Sequence, residues 1–292
     1  MGEILEKIDP GKIKLFLFDL DGTLYEDQDH FDFYAQCLAE RLEPGKRNLF
    51  WEDLQASRRG EHPLRLGRVY DLEKDLILEI DREARIKRAW TWEGRALEKG
   101  RLRTFYPLQV RCNMENMLYM GDGWWLPAAC AFHYGLKDPG YCYQKTKDWL
   151  AETDRALQPI PGLAEKLSLL SETYPLVLAT NSDQEDTERL LKLLELEQIF
   201  NSIFTCCEKP AGTKFLAKKI EEDFAIDPEG FISIGDNFLN EIGPLRDTGA
   251  QSILIDPHGV FSEDGETGPV VKSIRDIFPL FDYLVPDYTD KN

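Results

Sequence analysis

Short apolar runs alternate with longer segments of helical periodicity in the first and last parts of the chain. Runs of four or five apolar residues are typical of strands that are buried on both faces of a parallel sheet. Strands that alternate with helices pair in parallel through right-handed crossovers. The predicted strands are residues 14–18, 176–180, 202–205, 231–234 and 252–255.

Helical periodicity separates these runs. Leu163, Leu167 and Leu170 recur at the spacing of one helix face, and residues 185–194 and 213–224 mix charged and apolar positions. Together the two patterns predict an α/β fold built on a Rossmann-like, doubly wound parallel sheet. Ligands of such sheets bind beyond the carboxyl ends of the strands.

The middle of the chain has a different pattern. Residues 71–89 contain no Gly or Pro and place Leu72, Leu76 and Ile80 at fourfold spacing, which predicts a long helix. Residues 31–42 predict another helix, and residues 114–125 predict a less regular one. We therefore expect this part to form a large, mostly α-helical domain.

Charge and tryptophan content change over the same region. Residues 25–155 hold 21 basic and 23 acidic residues and all six tryptophans, whereas the rest of the chain holds 14 basic and 30 acidic residues. The two parts therefore look like different domains, one inserted in the other. The predicted boundaries are residues 1–24 and 157–292 for an α/β core and residues 25–156 for an inserted cap.

The overall composition excludes several classes of protein. A net charge of −18 over 292 residues disfavours a nucleic-acid binder, because phosphate backbones need a basic surface. No apolar run is long enough to span a membrane. The first residues do not resemble a secretory signal. Six cysteines in a chain of this length are better explained as reduced thiols than as a disulfide scaffold, so we expect a cytoplasmic protein.

Two aspartates directly follow the first predicted strand. Side chains alternate along an extended chain, so Asp19 and Asp21 would share a side if the strand geometry continued, and Gly22 would allow a sharp turn. Two nearby carboxylates can divide the work of a nucleophile or metal ligand and of an acid/base. A calcium loop would need Glu at its twelfth position, where this chain has His30.

Four motifs in order resemble those of the haloacid dehalogenase-like (HAD) hydrolase superfamily, whose members are mostly magnesium-dependent phosphatases. Residues 19–23 (DLDGT) resemble the first motif, and residues 176–182 (LVLATNS) the second. Lys209 followed by Pro210 resembles the third, and residues 232–242 (ISIGDNFLNEI) the fourth. The resemblance covers about residues 13–25 and 157–256, and the insertion between the first two motifs matches the position of a helical cap.

The resemblance implies a role for each motif residue. Asp19 would attack phosphorus, and Asp21 would protonate the leaving oxygen and later activate water. Mg²⁺ would be held by Asp19, by the backbone carbonyl of Asp21 and by Asp236. The Thr180 hydroxyl and the Asn181 N–H would hold the phosphoryl group, and Lys209 would neutralise its charge. Glu241 stands where Asp is more usual in the family, and its longer side chain would contact the residues that hold Mg²⁺ rather than the metal itself.

The predicted cap contains a basic segment. Residues 82–111 hold nine basic and three acidic residues, with Trp90 and Trp92 among them. Arginine beside aromatic residues suits recognition of phosphate, carboxylate or a nucleobase, and Arg101 and Arg103 are the candidates for selecting the substrate. A solvated helix face would give the same composition.

The sequence therefore predicts a Mg²⁺-dependent phosphomonoester hydrolase that acts on a small phosphorylated metabolite through an aspartyl-phosphate. A phosphomutase would use the same core residues. A non-catalytic HAD-like protein whose enlarged cap binds a partner is the alternative from a different class.

Overall fold

A computed structural model describes residues 2–27, 29–81, 85–106, 112, 115–152, 157–246, 248–259 and 268–285. The chain divides into two compact units. The first comprises Met1–Asp27 and Leu157–Asn292, and the second comprises Gln28–Ala156. Within the described residues, no helix is both long and apolar enough to cross a membrane.

The strands, in chain order, are β1 (Leu15–Phe18), β2 (Val69–Asp71), β3 (Leu76–Ile80), β4 (Ile86–Thr91), β5 (Met117–Tyr119), β6 (Leu176–Ala179), β7 (Ser202–Phe204), β8 (Phe231–Gly235), β9 (Gln251–Ile255) and β10 (Val270–Val271). The α-helices are α1 (Gly2–Lys7), α2 (Asp29–Arg41), α3 (Arg47–Arg58), α4 (Lys99–Phe105), α5 (Trp125–His133), α6 (Gly140–Glu152), α7 (Leu163–Ser171), α8 (Gln184–Leu193), α9 (Thr213–Phe224), α10 (Gly243–Arg246) and α11 (Phe278–Leu284).

The first unit is built on a six-stranded parallel sheet in the order β10-β9-β8-β1-β6-β7. All four residues of β1 are buried, as expected for a strand with neighbours on both edges and cover on both faces. The five predicted strands are all present, and the predicted α/β fold with a parallel sheet is confirmed. Strand β10 was not predicted, because its two residues are too few to form a recognisable apolar run.

The predicted helices of the first unit are also present as α7, α8 and α9. In α7, the leucines at helical spacing, Leu163, Leu167 and Leu170, are the residues that it buries. Asp183 caps helix α8, because its side chain accepts the N–H of Asp186 and so satisfies one of the unpaired donors of the first turn.

The second unit combines helices with a four-stranded antiparallel sheet in the order β4-β3-β2-β5. The long helix predicted over residues 71–89 is therefore wrong, because β2, β3 and β4 occupy this segment on either side of residues 82–84, which lie outside the described residues. The chain reverses after β2 because Asp71 accepts the N–H groups of Glu73 and Lys74, and Asp75 adopts a left-handed conformation with φ of 54°. The fourfold leucine spacing was coincidental.

Two further predictions for this unit have different outcomes. The helix predicted over residues 31–42 is present as α2, which packs its buried face, including Tyr34 and Leu38, into the core of the unit. The irregular helix predicted over residues 114–125 is wrong, because that segment contains β5 and α5 begins only at Trp125. Residue 114 lies outside the described residues.

Candidate active site

The carboxyl ends of three adjacent strands bring the predicted residues to one edge of the first unit's sheet. Asp19 follows β1, Thr180 follows β6 and Asp236 follows β8, and β1 lies between the other two strands. The Asp19 N–H donates to the Ile234 carbonyl at 3.0 Å and so continues the ladder one step beyond β1. Parallel pairing alone therefore places these side chains together.

Lys209 lies at the centre of this cluster. Its ammonium group donates to Asp19 Oδ1 at 2.6 Å, to Glu241 Oε1 at 2.8 Å and to the Ala179 carbonyl at 2.8 Å. Three acceptors match the three N–H groups of an ammonium ion. The Lys209 side chain is only 4% exposed, so its position is fixed by these partners.

The cluster is buried and contains more acidic than basic side chains. Burial lowers the pKa of the Lys209 ammonium, but the charges of Asp19 and Glu241 outweigh this effect and raise it overall. Burial raises the pKa of Asp19, against the opposing attraction of Lys209. Burial likewise raises the pKa of Glu241, to about 8. One ammonium ion shared by two buried carboxylates leaves the site suited to a further cation.

Three carboxylates could hold that cation. Asp19, Asp236 and Glu241 each offer an oxygen within 4.8 Å of the other two. Carboxylate oxygens are the ligands that Mg²⁺ prefers, so the donor set fits the predicted metal. Gly22 leaves room for the ligands, because a Cβ at this position would lie 2.3 Å from Asp236 Oδ2.

Glu241 comes closer to the centre than the sequence indicated. A π-helical turn over Phe238–Ile242 carries it back towards β8, where its Oε2 accepts the Asn237 N–H at 3.0 Å. A Cβ on Gly235 would lie 2.5 Å from Glu241 Cγ, so glycine is needed where the glutamate side chain crosses the strand. Glu241 therefore contacts Lys209 directly.

Asp21 faces a different set of groups from Asp19. The Tyr25 hydroxyl donates to Asp21 Oδ1 at 2.5 Å. Asp21 Oδ2 accepts from the Ser182 hydroxyl at 3.2 Å and from the Thr180 hydroxyl at 3.4 Å. Ser182 ends the second motif and Tyr25 lies two residues after the first, but the sequence indicated a role for neither.

Asn181 connects two loops of the site. Its side-chain oxygen accepts the Lys209 N–H at 2.7 Å, and its side-chain nitrogen donates to the Lys209 carbonyl at 3.1 Å. The Cys207 N–H also donates to the Thr180 carbonyl, at 3.0 Å. The Asn181 side chain therefore fixes the backbone of Lys209, a contact that the sequence did not reveal.

The arrangement of these motifs agrees with a comparison of the whole sequence. The family model of the haloacid dehalogenase-like hydrolases matches residues 13–246. The chain belongs to this family. No curated protein matches its sequence.

Solved structures are similar to this chain over most of its length. YfnB from Bacillus subtilis, in a structure bound to magnesium, is 16% identical with a TM-score of 0.50, and the match covers 92% of this chain and 99% of that one. A HAD phosphatase from Thermococcus onnurineus is 14% identical with a TM-score of 0.48, covering 92% and 97%. A dehalogenase with an intermediate complex is 16% identical with a TM-score of 0.47, covering 92% and 97%.

The two arginines predicted to select the substrate of this HAD hydrolase lie in the second unit. Arg101 and Arg103 are exposed on α4, and the Arg101 guanidinium lies 5.3 Å from the centroid of the Phe105 ring. Arg82 and Arg111, the ends of the basic segment, lie outside the described residues. Helix α4 therefore presents its two arginines to solvent within its own unit.

Proposed function

We propose that this HAD hydrolase is a Mg²⁺-dependent phosphomonoester hydrolase that forms an aspartyl-phosphate on Asp19 and acts on a small phosphorylated metabolite. The observation that carries the proposal is the separation of two carboxylates with unlike surroundings. Asp19 is paired with the Lys209 ammonium beside other acidic groups, whereas hydroxyl groups donate to both oxygens of Asp21. Such a division suits a nucleophile and a proton donor.

The residues of the first unit account for both steps of the reaction. In the first step an Asp19 oxygen bonds to phosphorus, the ester bond breaks, and the departing oxygen takes a proton from Asp21. In the second step Asp21 takes a proton from water, the water oxygen bonds to phosphorus, and the bond to Asp19 breaks. Inorganic phosphate leaves and both aspartates return to their starting state.

Charge compensation comes from fixed groups. Lys209 neutralises the negative charge that spreads over the transferring oxygens, and its three partners hold it in place before substrate binds. The Thr180 hydroxyl and the Asn181 N–H would bind the phosphoryl oxygens. Mg²⁺ held by Asp19, the Asp21 carbonyl and Asp236, with Glu241 beside them, would supply further positive charge.

Asp21 favours phosphoryl transfer over dehalogenation. A halide ion leaves without a proton, so a dehalogenase has no need of a second aspartate here, whereas an alkoxide leaving group requires a proton donor. The fold alone does not distinguish these reactions, because solved relatives of both kinds share it.

Hydrolysis of p-nitrophenyl phosphate with and without Mg²⁺ tests the proposal. We expect turnover that requires Mg²⁺ and is lost on chelation. Asp19→Asn should abolish turnover while the circular dichroism spectrum stays unchanged. A near-wild-type rate in Asp19→Asn would exclude Asp19 as the nucleophile.

Assays with other substrates separate the remaining alternatives. A panel of phosphorylated metabolites should release inorganic phosphate from at least one member. Phosphoryl transfer between two hydroxyl groups of a sugar, without release of phosphate, would identify a mutase. A folded protein that is inactive on all of them with several divalent metals would be a non-catalytic member of the family.

A further inference from the structure

The two oxygens of Asp21 have unequal surroundings. Oδ1 accepts a hydrogen bond from the Tyr25 hydroxyl at 2.5 Å, and the Tyr25 side chain is only 2% exposed. A hydroxyl hydrogen bond of 2.5 Å is at the short end of the range for proteins. Oδ1 is therefore held by a buried donor.

The contacts of Oδ2 are longer. The Ser182 hydroxyl lies at 3.2 Å and the Thr180 hydroxyl at 3.4 Å, both beyond the usual 2.7–2.8 Å of a hydroxyl hydrogen bond. The Ser182 N–H donates to the Thr180 hydroxyl oxygen at 3.0 Å and keeps that hydroxyl beside Oδ2. Oδ2 therefore lies towards the residue that would bind the phosphoryl group.

We propose that Tyr25 is a positioning residue that fixes the Asp21 carboxyl and reserves Oδ2 as the oxygen that exchanges protons. The inference rests on the proposed function and assigns a role within it. An acid that gives a proton to a leaving group must carry that proton on one oxygen. Because Oδ1 accepts from Tyr25, the proton belongs on Oδ2, next to Thr180.

Tyr25 keeps its own proton throughout this cycle. Burial, reinforced by the charge of Asp21, raises the pKa of the Tyr25 hydroxyl well above its ordinary value. In the first step the proton on Oδ2 moves to the ester oxygen, and in the second step Oδ2 receives a proton from water. The hydrogen bond from Tyr25 holds the carboxyl in one orientation during both transfers.

The dependence of rate on the leaving group tests this role. Phenol is a weaker acid than p-nitrophenol. Hydrolysis of phenyl phosphate therefore depends more on protonation of the leaving oxygen than hydrolysis of p-nitrophenyl phosphate does. We expect Tyr25→Phe to lower kcat/KM about tenfold for phenyl phosphate and less than about twofold for p-nitrophenyl phosphate. The use of kcat/KM restricts the comparison to the steps up to formation of the aspartyl-phosphate.

Two further variants complete the experiment. Ser182→Ala removes a hydroxyl beside Oδ2 and should give a smaller loss in the same direction, so it serves as an independent test if Tyr25→Phe folds poorly. Tyr174→Phe removes a hydroxyl from a tyrosine that packs edge-on against Phe16 of β1, with 5.6 Å between the ring centroids. It should leave both substrates unaffected.

The outcomes separate the inference from the function on which it rests. An equal loss for both substrates in Tyr25→Phe, or no loss for either, would overturn the positioning role while the hydrolase stands. A wild-type protein that hydrolyses neither substrate would overturn the proposed function, and the role of Tyr25 with it.

Discussion

Lys209 is the residue on which the charge balance of the site depends. Its ammonium group lies between the carboxylates of Asp19 and Glu241, and all three side chains are less than 10% exposed. Removing one member of a buried ion pair leaves an uncompensated charge, which costs more than the pair itself contributes. Removing Lys209 would leave two buried carboxyl groups, those of Asp19 and Glu241, without their basic partner.

Lys209→Met should therefore lower the free energy of unfolding by about 3–5 kcal/mol at neutral pH, measured by chemical denaturation in the presence of a chelator. Lys209→Met combined with Glu241→Gln removes one negative charge as well and should recover part of that loss. A single variant as stable as the wild type would show that the carboxylates do not depend on the lysine.

Gly22 lies within the first motif, where the chain turns away from the direction of β1. Its φ of 70° is in the left-handed region, and a Cβ here would meet the Asp236 carboxylate. Gly60 has a similar φ of 73° with nothing within 4 Å of the added Cβ. A side chain would strain the backbone at both positions, but only at Gly22 would it also meet a carboxylate.

Gly22→Ala should weaken Mg²⁺ binding by about tenfold or more in a calorimetric titration, because displacement of one ligand readily costs ~1.4 kcal/mol. Gly60→Ala should leave Mg²⁺ affinity unchanged while it destabilises the fold by about 1–3 kcal/mol through strain alone. Equal Mg²⁺ affinity in both variants would argue against Asp236 as a ligand.

The sequence indicated the positions of the site residues better than their contacts. Asp19, Thr180 and Asp236 each follow a strand that apolar runs reveal, so parallel pairing was enough to bring them together. The contacts of Tyr25 and Glu241 depend on a turn and on a π-helical segment, whose path no residue spacing specifies. Such side chains are recognised only when the backbone is known.

Secondary structure was predictable where one periodicity dominated. Helix α9 has exactly the predicted residues, Thr213–Phe224, because its apolar and charged positions match a helix and no other element. The prediction was wrong for the segment of β2 and β3. Leu72, Leu76 and Ile80 match helical spacing, but Leu76, Ile77 and Leu78 are the buried residues of strand β3. The turn that Asp71 and Asp75 form between the two strands prevents a continuous helix through this segment.

The end of α9 offers a test at the scale of one element. The helix ends at Ala225, which is exposed and has a left-handed φ of 53°. Ala225→Gly should raise the free energy of unfolding by about 0.5–1 kcal/mol, because glycine adopts this conformation without the steric cost of a Cβ. Ala217→Gly, at a buried position within the same helix, should lower it by about 1 kcal/mol or more. Denaturation midpoints that move in the same direction for both would contradict this account.

The net charge of the chain comes from one of its two units. The unit Gln28–Ala156 holds 21 basic and 21 acidic residues, so the net charge of −18 belongs to the other unit. The predicted insertion begins three residues earlier than this unit. Tyr25 bonds to Asp21, and Glu26 accepts from the Ser273 hydroxyl and pairs with Arg275 at 3.5 Å, so both residues belong with the sheet of the first unit.

The tryptophans allow the two units to be followed separately. All six lie in the unit Gln28–Ala156, whereas Asp19, Asp236 and Glu241 lie in the other. Mg²⁺ at one hundred times its Kd should stabilise the unit that binds it by about 2.7 kcal/mol. We therefore expect Mg²⁺ to shift thermal unfolding followed by far-ultraviolet circular dichroism but not that followed by tryptophan fluorescence. Equal shifts in both signals would mean that the units unfold together.

The place of β1 in its sheet sets an order of assembly during biosynthesis. β1 precedes the other described strands of its sheet, and its neighbours β6 and β8 both follow the complete unit Gln28–Ala156. At about 5–20 residues per second, β1 waits on the order of ten to forty seconds for β8. Until β6 is made, both edges of these four apolar residues are unpaired and open to chaperones, and the edge that pairs with β8 stays unpaired longer. The unit Gln28–Ala156 can therefore be complete before the sheet of the other unit forms, and Asp19 cannot meet Asp236 until β8 has been made.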